Sequence, residues 1–153
     1  MMSVRGHLMS LEFAPEFREW YGCNPGELMT CPVFKTIREG NQHLALDLKE
    51  EARRCDMLVL WLDCDREGEN IAFEVIAVCA SVNPRLRVLR AQFSAVSSSA
   101  VQAALANLRP PDRNASDAVD ARQEIDFRIG TAFTRWQTLV LLDNLPHIKA
   151  EGE

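Results

Sequence analysis

No apolar run in this 153-residue chain reaches the ~20 residues that a membrane-spanning helix needs, and the opening MMSVRGHLMS lacks the continuous apolar stretch of a signal peptide. A soluble protein that is not secreted is expected. Tyrosine is nearly missing, with Tyr21 the single example. The five cysteines, Cys23, Cys31, Cys55, Cys64 and Cys79, form no CxxC pair and no Cys/His spacing suited to zinc. That pattern points to reduced thiols in cytosol or nucleus, with Cys55 and Cys79 in surroundings that read as buried. Repeats and low-complexity tracts are absent too. So is a positive charge balance: the formal net charge is -5, which on its face argues against a nucleic-acid binder. Distribution matters more than the sum. Most of the 17 basic residues are arginine; Arg85, Arg87 and Arg90 cluster, and Arg122, Arg128 and Arg135 recur along one later segment. What is present is 47% hydrophobic residues, enough for one globular core.

The most informative stretch is Leu58 to Asn70, LVLWLDCDREGEN, where an apolar run stops at four carboxylates spread over seven positions. Carboxylates a few ångströms apart cannot all stay ionised cheaply, so a cation is implied. Mg²⁺ suits the pattern, being a hard ion that takes one or two protein carboxylates, keeps water in its other positions and grips phosphate. In an extended segment Asp63 and Asp65 share a face while Cys64 points to the other. Ile71, Val75, Val78 and Val82 then form one stripe of a helix, which places Glu67 and Glu69 near its N-terminus, where the macrodipole favours negative charge. Strand, acidic loop, helix is how an α/β sheet presents ligands at the carboxyl ends of its strands. The plainer alternative is a helix cap with acidic first-turn residues. A phosphatase with Asp-x-Asp-x-Thr is a further alternative, but Glu67 stands where the threonine belongs.

Around this motif, Val4 to Phe13 reads as a short strand or connecting segment, Pro32 to Ile37 as a strand, and Asn41 to Arg54 as a helix. Asp56 to Leu62 reads as a strand buried on both faces, as in a parallel sheet covered by helices. Asn83-Pro84 ends the acidic helix, and Leu86 to Phe93 is a second strand, giving a crossover unit. Ser97 or Ser98 caps a helix with the stripe Val101, Ala104, Leu105 and Leu108. Arg109-Pro110-Pro111-Asp112 is the candidate boundary. Beyond it Ser116 to Leu142 is helical, with Ile125, Ile129, Phe133, Trp136 and Val140 expected in the core rather than stacked on bases. His7, beside Gly6, reads as a structural hydrogen-bonding residue.

Two blocks together resemble a known family. LVLWLDCDREGENIAFEVI is similar to the acidic motif of the Toprim domain in type IA DNA topoisomerases, and DAVDARQEIDFRIGTAFTRWQT to the segment leading into the adjoining domain. With Gly6-His7 upstream and VLRAQFS between, the likeness is to the eukaryotic topoisomerase III branch and covers Gly6 to about Leu139. The resemblance implies an α/β fold: a Toprim-like parallel sheet flanked by helices, followed by a long helix from the adjoining helical domain. Residues 1–109 would be a partial Toprim domain without its first strand and helix, and 110–153 the start of the helical domain.

The same resemblance implies binding of single-stranded DNA, cleavage of one strand through a tyrosine, passage of another and religation. Asp63, Asp65 and Glu67 would coordinate Mg²⁺ and Arg66 would stabilise phosphate charge, since phosphoryl transfer needs charge placed around phosphorus more than covalent help. Arg122, Asp126 and Arg128 would line the single-strand path. Helicase or scaffold partners of topoisomerase III, no membrane, and a nuclear location follow from the same likeness. Gln92 and Ala95 stand where the family usually has arginine and glutamate, and Tyr21 is in no matching context for the nucleophile. The chain is therefore expected to be inactive alone. The alternative is a noncatalytic module that binds Mg²⁺ and single-stranded DNA or a topoisomerase partner.

Overall fold

The computed structural model describes residues 1–144. Four strands and four α-helices follow one another: β1 (Met9–Phe13), β2 (Val33–Ile37), α1 (Gln42–Ala52), β3 (Met57–Leu60), α2 (Arg66–Ala80), β4 (Arg87–Arg90), α3 (Ser98–Ala106) and α4 (Arg113–Asn144). Short 3-10 turns at Pro15–Phe17 and Pro25–Met29 lie between β1 and β2. The strands form two separate pairs, β1 with β2 and β3 with β4. In the second pair the strands are parallel, Met57 opposite Arg87 and Leu60 opposite Arg90, with α2 as the crossover that parallel neighbours require. No helix among the described residues is long and apolar enough to cross a membrane.

The chain forms two compact units. The first comprises Met1–Ser10 and Ile37–Ala121; the second comprises Leu11–Thr36 and the part of α4 from Arg122. This division differs from a break at Arg109. Helix α4 runs without interruption from Arg113, so the Pro110-Pro111 pair turns the chain but does not end a compact unit.

In the first unit, α1 and α2 pack together through their apolar stripes. Ala45, Leu48 and Ala52 meet Ala72, Val75, Val78 and Cys79, and Leu8 and Leu60 complete the core. Helix α2 begins where it does because Asp65 caps it: its backbone is extended and its carboxylate accepts the Gly68 N–H at 2.7 Å. Ser97 caps α3 in the same manner, accepting the Ala100 N–H at 3.2 Å.

Strand β3 is not buried on both faces. Met57 is exposed and only Leu60 is fully buried. Among the described residues β3 pairs with β4 alone, and a cavity of about 740 Å³, lined by Leu48, Leu58, Leu62, Val75 and Leu105 among others, runs beside it. With one neighbour, an apolar strand has no second layer to complete its burial. Leu105, expected in the α3 stripe, is exposed, and only Ala104 of that helix is buried. Cys55 is exposed as well, while Cys79 is buried.

In the second unit, Phe13, Leu28, Cys31 and Ala132 form the core, with Phe127 stacked on Phe13 at 4.4 Å between ring centroids. The face of α4 that packs there carries Phe127, Arg128, Ala132 and Arg135. The expected core stripe is turned away: Ile125, Ile129, Phe133, Trp136 and Val140 are all exposed. Spacing alone identified an apolar stripe correctly, but arginine hydrogen bonds to loop carbonyls select a different face for burial, as shown below.

Candidate functional site

Strand β3 ends at Leu60, and the four residues that follow lead directly into the Asp65 cap. Asp63, Asp65 and Arg66 are exposed and Glu67 is half-buried, so three of the four expected site residues face solvent at the carboxyl end of a parallel strand. Cys64 turns away from them, its Sγ accepting the Phe93 N–H at 3.1 Å. The helix N-terminus beneath adds a field favourable to the acidic groups.

The backbone here is tightly constrained. A Cβ on Gly68 would lie 2.0 Å from the Asp63 carbonyl oxygen, so only glycine lets the first turn of α2 press against the loop. From below, the fully buried Arg90 side chain donates to the Leu62 carbonyl at 2.8 Å and to the Asp63 carbonyl. Its Nε donates to Glu69 Oε1 at 3.0 Å. Of the sequence cluster Arg85, Arg87 and Arg90, the first two are exposed, whereas Arg90 closes the end of the strand pair from inside.

His7 is a second link that spacing could not show. One ring nitrogen lies 3.1 Å from Glu67 Oε2 and the other 3.2 Å from Glu74 Oε1. Glu74 is buried and its second oxygen accepts the Leu8 and Met9 N–H groups at 2.7 and 3.2 Å. His7 is thus a hydrogen-bonding residue, and its partner Glu67 belongs to the acidic motif. Nearby, the fully buried Asn70 donates to the Ser116 carbonyl and hydroxyl, both at 3.1 Å, and to Asp120 at 2.7 Å.

No three of His, Cys, Asp and Glu among the described residues stand in a group that could enclose an ion. The donor set fits a different kind of site. Asp63 and Asp65 are exposed, two residues apart and anchored through their backbones, which suits a largely hydrated Mg²⁺ held by one or two carboxylates rather than a closed cage.

On α4 the arrangement is divided. Arg122 and Asp126 form an exposed i,i+4 pair at 3.3 Å. Arg128 is instead given over to the fold of the second unit: it pairs with Glu124 at 2.7 Å and donates to the carbonyls of Leu28 and Cys31 at 3.0 and 2.8 Å. Arg135, 6% exposed, donates to the carbonyls of Phe17, Arg18 and Glu19. Guanidinium groups so occupied brace loops and have few donors left for phosphate.

A family profile described as Toprim domain matches residues 1–96, which include the whole acidic motif, α2 and β4. The chain belongs to the Toprim family. The chain is also similar to DNA topoisomerase 3-alpha of Arabidopsis thaliana, 52% identical over 153 residues, which is 100% of this chain and 16% of that protein. Likeness to DNA topoisomerase 3-alpha of Homo sapiens is 50% over 151 residues, covering 99% of this chain and 15% of the relative. With DNA topoisomerase 3-beta of Oryza sativa subsp. japonica it is 45% over 138 residues, 89% of this chain and 16% of the relative. The chain thus spans about a sixth of the length of these relatives. Within this Toprim chain the parallel β3–α2–β4 unit is what carries the acidic motif to the strand ends.

Sequence reasoning missed Arg90, Glu69, Asn70 and Glu74 as parts of the site's support. No short pattern marks Arg90: it ends β4, RVLR, and only the register with β3 sets it opposite the buried Leu60.

Proposed function

We propose that this chain is the acidic, Mg²⁺-handling part of a type IA DNA topoisomerase of the topoisomerase III branch, acting on single-stranded DNA. The observation that carries the reading is the anchored acidic rim at the carboxyl end of β3, set on the N-terminus of α2, in a chain that belongs to the Toprim family. One or two of the carboxylates Asp63, Asp65 and Glu67 would hold the ion, with water in its other positions. When bound, Mg²⁺ supplies positive charge to a DNA phosphate. Arg66, exposed at the first position of α2, would contact a phosphate oxygen near the rim. Glu67 is held in orientation by His7, and Asp65 by the Gly68 N–H. On α4 the exposed Arg122 is the candidate contact to the nucleic-acid backbone, with Asp126 orienting it. Helicase or scaffold partners and a nuclear location belong to the same proposal.

The strand-cleaving tyrosine comes from outside this chain. Tyr21 lies in the second unit, in the turn between the two 3-10 segments, 79% exposed to solvent rather than set beside the acidic motif. Purified chain with Mg²⁺ is expected to leave negatively supercoiled plasmid unrelaxed; relaxation would refute this part of the reading.

The metal role is tested by melting the chain with and without Mg²⁺. Binding to the folded state alone raises stability by about 2.7 kcal/mol at a hundredfold excess over the dissociation constant. Asp63→Asn with Asp65→Asn is expected to abolish that gain and keep the fold, and an unchanged magnesium response would count against the site. The alternative is a noncatalytic module, in keeping with Arg128 and Arg135 bracing loops instead of lining a strand path. Binding of a labelled single-stranded oligonucleotide without any activity on reconstitution with the rest of a topoisomerase would support it.

A further inference from the structure

We propose that Arg90 is the positioning residue of the acidic rim: from inside the fold it sets where the Asp63 and Asp65 carboxylates emerge, and so how tightly the rim holds a divalent cation. The inference rests on the reading of that rim as a Mg²⁺ site.

The Arg90 side chain is 0% exposed. Besides Glu69, it serves four backbone carbonyls: those of Leu60, Leu62 and Ala91 through Nη1 at 3.3, 2.8 and 3.0 Å, and that of Asp63 through Nη2. A purely architectural ion pair would need Glu69 and the strand residues Leu60 and Ala91. Leu62 and Asp63 are different, because they lie beyond the end of β3, where no ladder partner orients the backbone. There a planar group with five donors replaces the neighbouring strand.

The guanidinium is itself fixed. Glu69 accepts from Arg90 on one oxygen and from the Asp112 N–H on the other, at 3.0 Å each, and the Arg90 backbone exchanges two hydrogen bonds with Arg109. Gly68 closes the arrangement from the helix side by letting the Asp63 carbonyl approach its Cα. The loop is therefore held between two rigid elements, and its side chains inherit that direction. Glu69, the fourth carboxylate of the motif, is drawn inward by the same guanidinium, which leaves Asp63, Asp65 and Glu67 toward solvent.

The test is Mn²⁺ binding to the intact chain, read from the spin-resonance signal of the free ion, with folding checked by circular dichroism. Two variants are compared with the parent: Arg90→Lys, which keeps the charge and loses the fork, and Arg90→Met with Glu69→Gln, which leaves no lone buried ion. Val78→Ala, in the α2 core remote from the rim, controls for loss of stability alone. Mn²⁺ binding is expected to weaken about 10-fold or more in both Arg90 variants and to stay unchanged in Val78→Ala. Parent-like affinity in a folded Arg90 variant overturns the proposal, as does an equal loss in Val78→Ala. If neither Arg90 variant folds, Glu69→Gln decides, with several-fold weaker binding expected and unchanged affinity counting as refutation. A parent chain that binds no Mn²⁺ overturns the metal reading instead.

Discussion

Gly68→Ala separates local propensity from tertiary constraint, because the two predict opposite signs. In a helix, alanine is favoured over glycine by up to ~1 kcal/mol, so on propensity alone the substitution stabilises α2. In the structure the new Cβ would sit 2.0 Å from the Asp63 carbonyl oxygen and 2.9 Å from its carbon, both backbone atoms. Ordinary contact is about 3.5–4.0 Å between carbon atoms, so the loop must retreat by more than an ångström. That motion carries the Asp63 carbonyl away from Arg90 and strains the Leu62 bond as well. Hydrogen bonds from a charged donor contribute ~1.5–3 kcal/mol, so after the propensity gain a net loss of at least ~2 kcal/mol is expected. For a chain of this size that lowers the melting temperature by roughly 4–8 °C. Urea unfolding followed by circular dichroism measures it directly. An alanine variant as stable as the parent, or more so, would show that the loop is soft and that the anchored rim is not a property of this fold.

Arg135→Met should cost about 2–4 kcal/mol in the same assay, because three loop carbonyls lose their donor, whereas Arg122→Met on the exposed face of α4 should change stability by less than about 0.5 kcal/mol. Similar losses in the two would refute the bracing role of Arg135. Thiol labelling in the native state should modify Cys55 and Cys64 first and Cys31 and Cys79 last, since the latter two are buried and burial pushes both thiols up from 9.0. The same shift fixes a pH slope. Above pH 9.0 the unfolded chain releases these protons before the folded one does, so stability falls as pH rises through that range. Replacing both residues by alanine should flatten that decline; an unaltered slope would assign it to other groups.

Much of the molecule was legible from residue order. The helix that follows the acidic loop, the parallel strand pair around it and the position of Asp63, Asp65, Arg66 and Glu67 just beyond a strand end all follow from patterns a few residues long. Such features depend on backbone periodicity and local hydrogen bonds, which neighbours in sequence dictate. The face of α4 that is buried did not follow, because two stripes compete there. Ile125, Ile129, Phe133, Trp136 and Val140 form the more apolar one, yet burial goes to the side where Arg128 and Arg135 satisfy carbonyls about a hundred residues away. Unmet backbone groups are costly enough to outweigh extra apolar area.

The amino-acid order by itself thus determined which groups stand together: acidic residues alternating after an apolar strand, with a capped helix behind them. Only the tertiary structure decided how those groups are held, through Arg90 and Gly68 against the Asp63 carbonyl and His7 between Glu67 and Glu74. The physical reason is range. Caps and periodicity are settled within one or two turns of chain, while a buried guanidinium or imidazole finds its acceptors only when distant segments fold onto it.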